Sequence, residues 1–199
     1  IAGADISEFG GNVEGVSLNE VFHKLEYCSK PVVAALNGIA LGGGLETALC
    51  CNYRLADKNA FVGLPEVNLG LLPGGGGTQR LPRLTGASEA LKMMLSGSHV
   101  PAKKALDMGI IDKIVDNVVE DSIKFIRHLD DTMKGLGFSE MDHPKVRDKN
   151  EKMLEARGDD KVLLEAQAMA EKNLVFDGRS AAFRSQFDRD SCAWTAHTL

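Results

Sequence analysis

Residues 31–84 decide the fold, and they read PVVAALNGIALGGGLETALCCNYRLADKNAFVGLPEVNLGLLPGGGGTQRLPRL. Two glycine-rich turns stand out in this stretch, Gly42–Gly44 and Gly74–Gly77. Each turn has a glutamate a few residues away, Glu46 after the first and Glu66 before the second. The two turns, each with its glutamate, are candidate halves of one site.

The first half combines a strand, a glycine turn and a helix start. Pro31–Ala40 is mostly apolar and predicts a buried strand, and the apolar Leu45–Cys51 predicts a short helix. The first N–H groups of a helix have no partner within it, and the peptide dipoles favour negative charge at that end. The turn can therefore hold an oxyanion, with Glu46 beside it in the first helical turn.

The second half repeats this arrangement. Phe61–Leu64 predicts another short strand, and Pro65 fixes the backbone just before Glu66. The helix entered through Gly74–Gly77 is expected to point a second set of N–H groups at the site. Two carboxylates and two helix starts then converge if the two strands are neighbours.

Each feature also has an ordinary structural explanation. Glutamate is common in the first turn of a helix because the dipole favours it there, and glycine runs are usually tight turns. Neither run matches G-x-G-x-x-G or G-x-x-x-x-G-K-[ST], so no nucleotide fingerprint is present. The prediction of one site therefore rests on the combination of both glycine turns with both glutamates, and not on any single feature.

Three segments resemble the crotonase, or enoyl-CoA hydratase/isomerase, superfamily: AGADI at 2–6, NGIALGGGLE at 37–46 and LPEVNLGLLPGGGGTQRLPRLTG at 64–86. They occur in the family's order with its spacing of the two glutamates. The resemblance covers residues 1–116 and implies an α/β fold, a crotonase-type spiral of repeated ββα units. The chain is expected to be a fragment that lacks the first N-terminal strands of that fold.

The resemblance also implies roles for individual residues. The N–H groups of Ala4 and Gly43 are expected to form an oxyanion hole for an acyl-CoA thioester, and Glu46 and Glu66 are the expected catalytic pair. It further implies a substrate-binding set, in which Gly74 helps to orient the attacking water: Ala2, Asp5, Ile6 and Gly74. Coenzyme A is part of the substrate, so no separate cofactor is expected.

In the family that the chain resembles, hydratases carry a glutamate at both positions, so the resemblance implies hydration of a 2-trans-enoyl-CoA to a 3-hydroxyacyl-CoA, the second step of fatty-acid β-oxidation. One carboxylate accepts a proton from water while the other donates one, which paired carboxyls with separated pKa values can do. The assignment of the two roles stays open, because coupled groups titrate together. The alternatives are a Δ3,Δ2-enoyl-CoA isomerase that relies on Glu66, and an inactive truncated homologue.

Residues 117–199 are interpreted as a helical appendage to the core at 1–116. Its charged run at 147–173 resembles the connector that follows the hydratase module in multifunctional fatty-acid oxidation enzymes. Those enzymes continue into a 3-hydroxyacyl-CoA dehydrogenase, and NAD is expected only in such a domain, not in this chain. The expected partners are the acyl-CoA substrate and either a homo-oligomer or that continuation.

Flanking patterns predict further elements. Ser17–Cys28 predicts an amphipathic helix with a capping box, and its apolar stripe is interpreted as core. Two more helices are predicted at Ala87–Leu95 and from Pro101 to Gly109, with a strand at Ile110–Val115.

Composition excludes several classes of function. A formal net charge of −5 argues against nucleic acid as the main partner. The four cysteines include no C-x-x-C pair and are interpreted as reduced core thiols, and the five scattered histidines predict no metal site. The longest uncharged run is too short to span a bilayer. The expected location is the cytoplasm if the source is bacterial, and a mitochondrion or peroxisome if it is eukaryotic.

Overall fold

The computed structural model describes residue 3, residues 15–135, residues 145–149 and residue 152. The described helices are α1 (Leu18–Glu26), α2 (Gly43–Cys50), α3 (Gly77–Thr85), α4 (Ala87–Ser96), α5 (Ala102–Asp107) and α6 (Val118–Gly135). The described strands are β1 (Val33–Leu36), β2 (Ile39–Leu41), β3 (Tyr53–Asp57), β4 (Phe61–Gly63), β5 (Val100–Pro101) and β6 (Lys113–Val115). Short 3₁₀ helices occupy Glu66–Leu69 and Val146–Asp148.

Two consecutive strand–strand–helix units build the centre of the fold. The first unit is β1, β2 and α2, and the second is β3, β4 and α3. The first strands of both units pair in parallel within the sheet β1-β3-β6, and the second strands pair in parallel within the sheet β2-β4-β5. The predicted α/β spiral of repeated ββα units is thus confirmed over the described residues.

The prediction of one buried strand over Pro31–Ala40 is wrong. The stretch forms β1 and β2, which belong to different sheets. Gly38 separates them with φ of 83°, a left-handed conformation that breaks a strand. Ile39 is 51% exposed, so β2 is less buried than its composition indicates. The break lets each ββα unit contribute one strand to each sheet.

One apolar core lies between the second sheet and helices α2 to α5. It contains buried residues from each of these elements, among them Leu45, Leu49, Val62 and Leu81, and also Ile110 from the segment before β6. Burying such side chains contributes roughly 1.5–3 kcal/mol each, which makes this core the main stabilising element of the site's scaffold.

A buried arginine connects β3 to the segment that leads into β6. The side chain of Arg54 is fully buried, and its Nη2 lies 3.0 Å from Oδ2 of Asp112. Its Nε and Nη1 donate to the carbonyl oxygens of Ile110 and Cys51. Because every donor direction of the guanidinium has a partner, the charge is tolerated in the interior.

Helix α6 and the residues after it pack on the same scaffold. Phe125 contacts Tyr53 edge to face at 5.1 Å between ring centroids, and Val118 packs on Leu55. Val146, only 1% exposed, belongs to the main core. The division of the chain at residue 116 stays a prediction. No helix within the described ranges is long and apolar enough to cross a membrane.

Helix α1 differs from its prediction in which face is buried. The cap is confirmed, because Oγ of Ser17 accepts a hydrogen bond from the N–H of Glu20. Leu18 and Val21, however, are exposed, and Phe22 and Glu26 are the residues that point inward. Cys28 is exposed as well, so its interpretation as a core thiol is wrong, whereas Cys50 and Cys51 are buried.

Replacing Arg54 with methionine should lower the free energy of unfolding by about 3 kcal/mol. The substitution removes the charge partner of Asp112, which keeps its hydrogen bond from the backbone N–H of residue 54, and leaves two interior carbonyl groups without their donors. Each unsatisfied interior group costs about 1–3 kcal/mol. Urea denaturation followed by circular dichroism measures the loss. Lys92→Ala, which removes an exposed ion pair with Glu89, should change stability by less than about 0.5 kcal/mol. Equal losses for both variants would contradict the prediction.

Candidate functional site

The two glycine turns meet because β2 and β4 are neighbours. Leu41 pairs with Gly63 at the ends of the two parallel strands, and the N–H of Gly42 donates to the carbonyl oxygen of Gly63 at 2.9 Å. Parallel strands end at the same edge of a sheet, where ligands bind in open α/β folds. The neighbourhood that the site requires is therefore confirmed.

The first glycine turn leaves a backbone donor unused by its helix. Gly42 has φ of 53° and ψ of −127°, a conformation suited to glycine, and a Cβ there would lie 3.0 Å from Oε1 of Glu66. Gly43 is the first residue of α2, so its N–H has no partner within the helix. This geometry fits the donor expected of Gly43, and the oxyanion role itself stays a prediction.

Glu46 is enclosed by the second glycine turn. Its side chain lies in the interior, the residue being 3% exposed, and its Oε1 accepts a hydrogen bond from the N–H of Gly77 at 2.8 Å. A Cβ at Gly75 would lie 2.6 Å from its Oε2 and would overlap Phe22. Burial raises the pKa of Glu46, and the N–H groups of Gly77 and Gly75 and the charge of Arg80 oppose that rise.

Glu66 differs from Glu46 in how its carboxyl group is satisfied. It begins the 3₁₀ helix after β4, and its Oε2 is buried without a hydrogen-bond partner among the described residues. Burial raises the pKa of Glu66 to about 7; its own backbone N–H lowers the pKa, and the neighbouring charge of Glu46 raises it further. Two carboxyl groups within electrostatic reach therefore differ in their hydrogen bonding.

The second helix start does not act as expected. Helix α3 begins at Gly77, after Gly76 with φ of 92°, and the N–H of Gly77 is already used by Glu46. The anion held at this helix start is thus a side chain of the protein. Among the described residues, a Cβ at Gly74 would meet only the Leu72 carbonyl oxygen, at 4.0 Å, and the glycines of this turn that lie against Glu46 are Gly75 and Gly77. The role of Gly74 in orienting water stays a prediction.

The N-terminal segment reaches the same edge through Gly3. A Cβ at Gly3 would lie 3.1 Å from the carbonyl oxygen of Leu41, the last residue of β2. Gly3 therefore lies beside the first glycine turn. The other expected residues of this segment fall outside the described residues, and their roles stay predictions: Ala2, Ala4, Asp5 and Ile6.

Sequence reasoning missed a buried ion pair next to the glutamates. Nε and Nη2 of Arg80 donate to the two carboxylate oxygens of Glu26, each at 3.0 Å. Its Nη1 donates to the carbonyl oxygen of Gly75 at 3.0 Å. The available signal was the four-residue spacing of Phe22 and Glu26, which places the acid on the same helix face as a large apolar residue.

No three potential metal-ligand side chains cluster in the part of the chain that the structure describes.

The chain is similar to known proteins over most of its length. The family model described as enoyl-CoA hydratase/isomerase matches residues 1–173. Human peroxisomal bifunctional enzyme is 51% identical over 132 residues, which cover 65% of this chain and 18% of that protein. The fatty acid oxidation complex subunit alpha of Shewanella loihica is 53% identical over 124 residues, which cover 58% of this chain and 18% of that protein. The matched part of this chain thus spans less than a fifth of the length of either relative.

Solved structures show the same architecture. The crystal structure of an enoyl-CoA hydratase from Bacillus anthracis superimposes with a TM-score of 0.61 at 28% identity, covering 94% of this chain and 73% of that one. DspI from Pseudomonas aeruginosa gives a TM-score of 0.61 at 27% identity, covering 94% and 72%.

Gly75→Ala should destabilise the protein by about 1–3 kcal/mol, because the added methyl group must displace Glu46 or Phe22. Gly74→Ala is the matched control in the same turn, and the open space around its Cβ predicts a change within about 0.5 kcal/mol. Chemical denaturation of both variants measures the difference. Equal stability of the two variants would show that the glycine turn is not closely packed on Glu46.

Glu66 should make the protein less stable as pH rises from 4.5 to about 7, the interval between its ordinary pKa and its raised one. In that interval the folded state keeps the proton that the unfolded state has lost, so deprotonation favours unfolding. Glu66→Gln removes this contribution. Its stability relative to wild type should therefore be greater at pH 8 than at pH 4, measured by urea denaturation at both values. A difference of the opposite sign would contradict the raised pKa.

Proposed function

Because the chain belongs to the enoyl-CoA hydratase/isomerase family, we propose that it adds water to a 2-trans-enoyl-CoA to form a 3-hydroxyacyl-CoA. The observation that carries the proposal is the meeting of Glu46 and Glu66 at one edge of the parallel pair β2 and β4. A family member that only moves a double bond needs one such base, whereas addition of water needs a proton acceptor and a proton donor.

The surroundings of the two glutamates favour one division of roles. Glu46 accepts a hydrogen bond from the N–H of Gly77, which stabilises its ionised form and suits a base. Burial raises the pKa of Glu66 to about 7, so this carboxyl group keeps its proton to higher pH than an ordinary glutamate and suits an acid. We therefore assign the proton of water to Glu46 and the delivery of a proton to the substrate α-carbon to Glu66.

The reaction balances with these two groups alone. The water oxygen bonds to the β-carbon as its proton passes to Glu46, and the electrons of the double bond move toward the thioester. The α-carbon then takes the proton of Glu66. Negative charge that develops on the thioester oxygen would be stabilised by the N–H groups of Gly43 and Ala4, on the order of 3 kcal/mol per donor.

The relatives support a place in fatty-acid oxidation. One is named a peroxisomal bifunctional enzyme and the other a subunit of a fatty acid oxidation complex. We propose that this chain is the hydratase part of such an enzyme, with any NAD-binding dehydrogenase activity in a separate domain. A peroxisomal or mitochondrial location in a eukaryote, or a cytoplasmic one in a bacterium, accords with that role.

A second candidate function is Δ3,Δ2-enoyl-CoA isomerisation in the same site. The specific observation that favours it is Oε2 of Glu66, which has no hydrogen-bond partner within the described ranges and is a carboxyl oxygen that can take a proton from one carbon and return it to another. This reaction needs Glu66 but not Glu46.

Hydration is tested with crotonyl-CoA by following the loss of its conjugated absorbance. Glu46→Gln and Glu66→Gln should each lower kcat on the order of 10²- to 10⁴-fold, because each removes one proton-transfer group. Glu89→Gln, an exposed glutamate on α4, is the matched control and should keep wild-type turnover. Wild-type activity of either site variant would refute the assignment.

A 3-enoyl-CoA substrate separates the two activities. Isomerisation that survives Glu46→Gln but not Glu66→Gln supports the second candidate. Failure of the wild-type protein both to turn over these substrates and to bind acetoacetyl-CoA in calorimetry would instead identify an inactive homologue.

A further inference from the structure

The ion pair between Glu26 and Arg80 joins two helices behind the glutamate site. Both side chains are nearly inaccessible to solvent, and two parallel hydrogen bonds of 3.0 Å connect the carboxylate of α1 to the guanidinium of α3. A charge pair without solvent access is costly to form, so its geometry must be well satisfied. Here the planar guanidinium matches the carboxylate with both oxygens engaged.

The third nitrogen of the guanidinium group contacts the glycine turn. Nη1 of Arg80 donates to the carbonyl oxygen of Gly75, and it lies so close to Gly76 that a Cβ there would overlap it. Gly76 also has φ of 92°, a left-handed conformation that favours glycine. Both this conformation and the lack of space for a Cβ therefore require glycine at this position. The guanidinium thus fixes the backbone of the turn from behind.

The opposite side of the same turn faces Glu46. The N–H of Gly77 donates to Oε1 of Glu46, and the Gly75 backbone lies against Oε2. The turn is therefore bound on one side by Arg80 and on the other by the carboxylate. A change in the position of the guanidinium must move the donors that Glu46 uses.

We propose that Glu26 and Arg80 form a positioning pair, which holds the turn at Gly75–Gly77 so that its N–H groups face the Glu46 carboxylate. The fork shape of arginine is required, since one side chain must satisfy both Glu26 and the Gly75 carbonyl. Glu26 also keeps the guanidinium from pairing directly with Glu46. The catalytic part of this inference rests on the proposed hydration.

The ionisable groups around Glu46 determine how its pKa should respond to each substitution. They are Arg80 on α3, Glu26 on α1, Glu66 on the 3₁₀ helix and Cys50 on α2. Arg80 lowers the pKa of Glu46, so its removal should raise that pKa. Removal of Glu26 leaves the cation unopposed and should lower it.

The kinetic test compares Arg80→Lys with wild type on crotonyl-CoA. Lysine keeps the charge but cannot make all three contacts, so kcat should fall on the order of 10- to 100-fold with a smaller change in KM. Glu26→Gln, which keeps the size of the side chain, should show the same pattern. Asp112→Asn weakens the ion pair of the buried Arg54, away from the glycine turn, and should leave both constants near wild type.

A second measurement does not depend on turnover. The titration midpoint of the Glu46 carboxyl is followed by ¹³C NMR in a Glu66→Gln background, which removes the coupled group. Arg80→Gln should move the midpoint up and Glu26→Gln should move it down, while Asp112→Asn leaves it in place. General loosening of the fold would instead expose Glu46 and move both midpoints down.

The kinetic constants and the NMR titration midpoints together distinguish a failure of the proposed hydration from a failure of the positioning pair. Opposite midpoint shifts in a protein that does not hydrate crotonyl-CoA would refute the proposed function and retain the positioning pair. Full activity of Arg80→Lys in an active protein, or shifts in one common direction, would overturn the positioning pair and leave hydration standing.

Discussion

The parallel pairing of β2 with β4 is the constraint on which the site depends. Glu46 and Glu66 belong to successive ββα units, and they meet only because Leu41 and Gly63 end their strands side by side. A shift of one residue in this register would exchange the inner and outer faces of β4. The two glycine turns would then no longer lie side by side at the same edge of the sheet. The apolar core under the second sheet fixes that register, since Val62 must stay buried.

Placing two carboxyl groups close together in the interior is unfavourable, and the fold offsets the cost unequally. Glu46 receives backbone N–H donors and the nearby charge of Arg80. Glu66 keeps one buried oxygen without a partner among the described residues, and its pKa rises accordingly. Unequal satisfaction of two similar groups is how one site can hold an acid and a base at the same pH.

Most helices and turns follow from local signals in the sequence, whereas the break in the first strand, the buried face of α1 and the long-range contacts of the site do not. Glycine runs, Pro65 and the apolar run after Gly44 act within a few residues, so α2 and the turn before α3 were predictable. The break at Gly38 was missed although Asn37-Gly38 is a turn dipeptide, because an apolar run lies on each side of that dipeptide. The bond between Glu46 and Gly77, and the pair of Glu26 with Arg80, join positions far apart in the chain. The spacing of Phe22 and Glu26 marks an acid on an apolar helix face, but no local pattern identifies the distant partner of either glutamate.

Val146 brings the chain that follows α6 back into contact with the main core. It lies in the main core beside α3, and Lys152 donates to the carbonyl oxygen of Leu84 near the end of that helix. The chain thus returns, after α6, to brace the helix that presents the Gly77 amide. Local opening of α3 must break these contacts as well as its own, so the resistance of the glycine turn to local opening depends in part on residues about seventy positions downstream of it.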